Sequence, residues 1–144
     1  MPFIKIWIHL VWSTKNRQPL LITAIRQKVF THIRDNAVQK NIHIDFINGH
    51  TDHIHCLIGL NREQTIANVV QLIKGESAFW INKNNLCAKK FEWQREYFAV
   101  SVSESGVNKV REYIKNQEIH HAKKTFQQEY DAFMEKYGFE MIQG

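Results

Sequence analysis

Cysteine is nearly absent from this 144-residue chain: Cys56 and Cys87 are the only two, and they form neither a CxxC pair nor a disulfide framework. No run of 18 apolar residues occurs, which excludes a membrane-spanning helix. The apolar stretch from Met1 to Trp12 lacks a basic leader and a small-residue cleavage site, so it does not read as a secretory signal. Internal repeats, low-complexity tracts and linkers are missing too. The expectation is a reduced, cytoplasmic protein folded as one domain over residues 1–144.

What is present is ordinary in bulk and unusual in detail. Apolar residues make up 44% and charged residues 23%, both near globular averages, which excludes disorder and fibrous architectures. A chain of this length buries about two-thirds of its unfolded surface, enough for a core without staples. Lys and Arg number 19 against 14 Asp and Glu, a net +5. That mild surplus suits a polyanionic partner without requiring one. Eight histidines are the richer clue, because imidazole is both metal ligand and proton carrier.

Periodicity supplies the elements. Phe3 to Ser13 reads as a strand with Ile4, Ile6, Ile8, Leu10 and Trp12 on one face. Thr23 offers a helix N-cap, and Ile25, Val29, Ile33 and Val38 carry a helical stripe to about Lys40. Residues 42–47 and 53–60 form a hairpin around the turn formers Asn48 to Asp52. Residues 64–82 then read as a helix and Tyr97 to Ser103 as a strand. Two further helices follow, over Val107 to His121 and Thr125 to Tyr137. The fold class is α+β. A ferredoxin-like β-α-β-β-α-β antiparallel sheet has helices on one face, and two C-terminal helices follow it. If the helices cover the Ile54 and Cys56 side, the opposite face of the sheet stays open.

Two constellations stand out. His53 and His55 occupy positions i and i+2 of a strand, so both imidazoles point the same way, roughly 6.5–7 Å apart at Cα. They can converge on one divalent ion, or be two histidines on an exposed face. Tyr113 and Gln117, four apart on a helix, share the flank of a stripe set by Val107, Val110 and Ile114. A tyrosine there is a packing residue with a wet hydroxyl, or a nucleophile if a base or metal assists it.

Together and in this order, these residues resemble the HUH single-tyrosine transposases of the smallest bacterial insertion sequences. Gly49-His50-Thr51-Asp52-His53-Ile54-His55-Cys56-Leu57-Ile58 resembles the family's histidine strand, and Tyr113-Ile114-Lys115-Asn116-Gln117 its Tyr-x-x-x-Gln helix. The segments His9 to Arg17, Leu72 to Gly75, Trp80 to Asn82, Phe91 to Gln94 and Phe98 to Ser103 extend the likeness as far as Gln117.

The resemblance implies a strand transferase acting on single-stranded DNA with hairpin ends. His53, His55 and Gln117 would hold Mg2+ or Mn2+, and Tyr113 would form a 5′-phosphotyrosine. It also implies a homodimer in which the histidines of one subunit meet the tyrosine of the other. A partner copy, or the last two helices, would then cover Trp7 and Val11. A domesticated nuclease that processes palindromic repeats would share this chemistry.

Lys15, Arg17, Lys74 and Arg95 are candidates to track a DNA backbone, with Trp93 or Trp12 as a base-stacking platform. Asp52 reads as turn chemistry or as a partner that orients a histidine. His9, His43, His120 and His121 read as surface residues, the last two also as phosphate contacts. Two other classes compete. A non-catalytic nucleic-acid-binding module shares the fold, but it would carry aromatics where His53 and His55 stand. The other is a zinc enzyme using His53, His55 and a cysteine, but Cys56 points away from the histidines and Cys87 falls in a loop.

Overall fold

The computed structural model describes residues 2–121 and 124–137. Strand β1 (Ile6–Ser13) pairs antiparallel with β3 (His53–Leu60) on one side and β4 (Phe98–Val102) on the other. Strand β2 (His43–Gly49) completes the order β2-β3-β1-β4. With helices α1 (Thr23–Gln39) and α2 (Ile66–Lys83) between strands, the chain runs β-α-β-β-α-β, as its periodicity predicts. None of these helices, nor any other among the described residues, is long and apolar enough to cross a membrane.

Period-two alternation divides each central strand between two layers. Ile8, Leu10 and Trp12 of β1 and Ile54, Cys56 and Ile58 of β3 form one core with Val29, Phe30 and Ile33 of α1 and Val69, Val70 and Ile73 of α2. Two details differ from the pattern. Strand β1 begins at Ile6, because Leu60 opposite it is the end of β3, and Phe3 before it is 97% exposed. Val38, placed on the α1 stripe by sequence, is 74% exposed; at 100° per residue it lies well off the line through Ile33 and Ala37.

The second face of the sheet is covered rather than open. Helix α3 (Val107–Lys115) packs there through Val107 and Ile114 against Leu57. Arg111 of α3 reaches Asp45 of β2 with two hydrogen bonds of 2.6 and 2.8 Å, which sets the helix's direction. Asn48 Nδ2 donates to the carbonyls of Ile114 and Lys115, satisfying two orphan groups at the helix end. The single helix expected over 107–121 therefore breaks at Asn116 (φ −92°, ψ 18°), and α4 (Gln117–His121) restarts it.

Helix α5 (Phe126–Tyr137) opens with a reciprocal cap. Thr125 Oγ1 accepts from Gln128 N, and Gln128 Oε1 accepts from Thr125 N. It lies across the face that carries Phe98, His53 and His55, with Tyr130 5.0 Å from Phe98 between ring centroids. Val11 is consequently buried within its own chain, and Trp7 donates through Nε1 to Glu104 at 2.6 Å. Covering Trp7 and Val11 does not take a partner copy.

Candidate active site

The alternation that sends Ile54 and Cys56 into the first core sends His53 and His55 to the other side, where both are fully buried. Their rings stand 5.2 Å apart at 79°. His53 Nε2 is 2.9 Å from Gln117 Oε1, and His55 Nε2 is 2.9 Å from Glu129 Oε1. Each ring is held from behind: Asp52 Oδ1 lies 2.8 Å from His53 Nδ1, and His9 Nε2 lies 2.8 Å from His55 Nδ1. Such partners fix ring orientation and aim both Nε2 atoms into one space.

Tyr113 enters that space from α3. Its hydroxyl donates to Glu129 Oε2, and its ring centroid lies 5.6 Å from that of His55. Gln117 Nε2 sits 3.3 Å from the same carboxylate oxygen and 3.5 Å from the Tyr113 carbonyl, which leaves Oε1 turned to His53. His121 Nε2 lies 3.4 Å from Glu129 Oε2. Phe126 stacks on His53, with centroids 4.4 Å apart at 16°, and closes the site from outside.

Burial raises the Tyr113 hydroxyl far above the ordinary phenol range, and the neighbouring Glu129 carboxylate adds to the shift. Burial also works to raise Glu129, but the adjoining imidazoles of His121 and His55 and the Tyr113 hydroxyl outweigh it and hold the carboxyl well below its usual range. Burial lowers His55 to about 4 and, with the charge of His55, lowers His9 to about 3. The site thus combines one carboxylate, one phenol and several imidazoles, of which burial holds His9 and His55 neutral at pH 7.

That chemistry suits a bound cation. His53 Nε2 and Gln117 Oε1 face each other at 2.9 Å, two atoms that can both offer lone pairs to one cation. Ligand atoms of His53, His55 and Glu129 all lie within 4.8 Å of one another. Two imidazole nitrogens with carboxylate and amide oxygens form a donor set that accepts a divalent ion.

All four sequence-designated residues, His53, His55, Tyr113 and Gln117, meet here. Glu129 was missed, because no spacing relates it to the histidines. His9, read as a surface residue, is buried at the site, and His121, read the same way, turns a covered side chain toward it, whereas Asp52 takes the orienting position. The side chain of His120 lies outside the described residues. Cys56 is on the other face, and the Cys87 thiol lies by the Leu20 carbonyl.

The outlying candidates divide. Lys15 pairs with Glu92 at 3.2 Å, and the Arg17 guanidinium covers the Phe126 and Tyr130 rings of α5. Lys74, Trp93 and Arg95 line one groove of about 510 Å³ between α2 and residues 90–97. Lys74 Nζ donates to the carbonyls of Gln94 and Arg95, while Arg95 itself is exposed. Trp93 is no stacking platform. It is 9% exposed, bonded to Ser77 and wedged edge-on against Trp12 and Phe91, and Trp12 is buried as well.

The antiparallel four-stranded sheet thus turns a His-x-His pair toward a tyrosine on a following helix. The model of the IS200-like transposases matches residues 3–117, and the chain belongs to that family. It is similar to the ISDra2 transposase TnpA of Deinococcus radiodurans, 27% identical over 114 residues that cover 76% of this chain and 81% of that protein. The crystal structure of a candidate transposase from D. radiodurans R1 superposes with a TM-score of 0.64 at 25% identity, covering 81% of this chain and 93% of that one. A REP-associated tyrosine transposase bound to a REP hairpin shares the fold, with a TM-score of 0.63 at 17% identity. That match covers 84% of this chain and 72% of the other.

Proposed function

We propose that this transposase cleaves and rejoins single-stranded DNA with hairpin ends through a 5′-phosphotyrosine on Tyr113. The reading rests above all on one observation: Tyr113 Oη and His55 Nε2 meet the two oxygens of a single carboxylate, that of Glu129. The nucleophile therefore already lies beside the histidine pair.

His53, His55 and Gln117 would hold Mg2+ or Mn2+. When bound, the ion polarises the scissile phosphate and stabilises charge on the departing 3′ oxygen. The chain's own groups do the rest. Tyr113 Oη bonds to phosphorus as the P–O3′ bond breaks, and Glu129 Oε2 is in place to receive the hydroxyl proton. The released 3′ oxygen takes a proton from water. The covalent ester keeps the phosphodiester energy, so a second 3′-OH can reverse the step without a high-energy cofactor. Asp52 and His9 hold the histidines in orientation throughout. Arg17, Lys15, Lys74 and Arg95 provide the positive surface for the strand.

Each chain carries a complete site in this reading, since Tyr113 faces the histidines of its own chain. A homodimer would then form through other surface. Phe3, Ile4 and Ile6, exposed where β1 runs past its neighbours, are the apolar patch available for it.

The test is covalent trapping. Labelled single-stranded DNA from the hairpin-bearing flanks of the gene is incubated with protein and Mg2+ or Mn2+, then run on a denaturing gel. A shifted band that Tyr113→Phe, EDTA and duplex substrate each abolish is the expected result. Tight strand binding with no adduct would instead make the chain a non-catalytic binding module.

A further inference from the structure

We infer that Glu129 is a fourth protein donor to the divalent ion of the histidine pair, so that this ion fastens helix α5 to the sheet. The inference rests on the proposed metal site and extends it to a residue seven-eighths of the way along the chain, on an element of its own.

Three observations support it. Glu129 Oε1 lies between the two imidazoles rather than on one alone, 2.9 Å from His55 Nε2 and 3.6 Å from His53 Nε2. Its other oxygen is already engaged by the Tyr113 hydroxyl and Gln117 Nε2, so Oε1 is the one left to face the imidazole nitrogens. Finally, Glu129 is 3% exposed, and the described side chains that touch its carboxylate are Tyr113, Gln117, His53, His55 and His121, with no lysine or arginine among them. A buried carboxylate with no lysine or arginine against it is one that a divalent cation at the histidines would complement.

Two imidazoles with a carboxylate and an amide oxygen are a borderline donor set, more suited to Mn2+ than an all-oxygen cage would be. The donors come from β3, α4 and α5, with His53 64 residues from Gln117 and His55 74 residues from Glu129. Phe126 and Phe133 of α5 pack on the histidine rings, so holding Glu129 also holds the helix that covers them.

Mn2+ binding to the full chain is measured by calorimetry and by the EPR signal of unbound Mn2+. Amide exchange across residues 126–137 is followed with and without the ion. The expected result is one Mn2+ per chain, weakened at least about tenfold in Glu129→Gln. The variant Glu129→Asp, which keeps the charge but shortens the reach, should fall between the two. Mn2+ should slow exchange in α5 of the wild type and not in Glu129→Gln. Binding of flank-derived hairpin DNA in EDTA serves as the folding control.

Wild-type Mn2+ affinity in a folded Glu129→Gln, or α5 exchange indifferent to Mn2+, overturns the inference and leaves the histidine site standing. Mn2+ affinity that is unchanged by His53→Ala and His55→Ala overturns the metal site itself, and the inference with it.

Discussion

His9 Nε2 stands 2.8 Å behind His55 Nδ1, on the diagonal of the β1–β3 ladder, where Val11 is the direct partner of His55. On the proposed metal site this contact would make His9 a positioning residue, acting through His55. With its own basicity lowered to about 3, His9 stays neutral, and with an ion on His55 Nε2 it can accept the Nδ1–H of His55. His9→Ala should therefore weaken Mn2+ binding by about 10- to 100-fold. His9→Asn, which can still accept a hydrogen bond, should recover part of the loss. Calorimetric Mn2+ titrations of the two variants check this; equal affinities would deny His9 an orienting role.

Acid should destabilise the metal-free fold well before carboxylates titrate. In the unfolded chain His9 and His55 titrate near 6.5, and in the fold near 3 and 4. Below pH 6.5 the unfolded chain therefore binds more protons than the folded one. Stability contributed by the neutral pair is full above that pH and is lost progressively as pH falls toward the folded values. The slope for two such groups is at most about 2.7 kcal/mol per pH unit. Urea midpoints in EDTA should thus be lower at about pH 5 than at about pH 7.5, and less so in His9→Leu. A flat profile would mean that the pair is not buried neutral.

Mixing experiments should find self-sufficient subunits. A His55→Ala chain lacks the metal pair and a Tyr113→Phe chain lacks the nucleophile, so neither alone should form the DNA adduct. If each site is built within one chain, mixing restores nothing. Adduct formation recovered on mixing would show instead that α3 and α5 exchange between subunits.

The groove beside α2 separates structural from electrostatic residues. Trp93→Ala removes a buried indole packed between Trp12 and Phe91, and should cost about 3–5 kcal/mol of stability. Arg95→Ala should leave the melting temperature nearly unchanged. It should weaken binding of single-stranded DNA and reduce the salt dependence of that binding by roughly one counterion. Thermal melts and binding isotherms at several salt concentrations distinguish the two. Loss of binding in a stable Trp93→Ala would reverse the assignment.

The four β-strands and the two crossover helices were legible in sequence because each follows a local period, whereas His53, His55, Tyr113 and Gln117 were singled out by a family resemblance that spacing allowed but did not decide. Strand parity placed the histidines together, and helical spacing placed Tyr113 near Gln117. What stayed hidden depends on contacts distant in the chain. His9 meets His55 across 46 residues, and Glu129 meets His55 across 74. The break at Asn116 depends on an asparagine 68 positions earlier in β2, which no window along α3 contains. The cover of the second face was left open between a partner copy and the last two helices for the same reason: α5 is held there by Phe126, Tyr130 and Phe133, apolar residues whose destination no period reveals.

Strand β3 leaves evolution little latitude in length. Its odd positions carry the imidazoles and its even positions the first core, so losing or gaining one residue inside it would exchange the two sets at once. Its start is pinned as well, since a Cβ on Gly49 would fall 2.2 Å from the His53 carbonyl oxygen. Drift in this lineage should therefore collect as insertions in the loops and as bulges in β2, which already has one between Ile44 and Phe46. A reading frame that keeps every loop but shortens β3 by one codon would encode a chain with neither its core nor its chemistry.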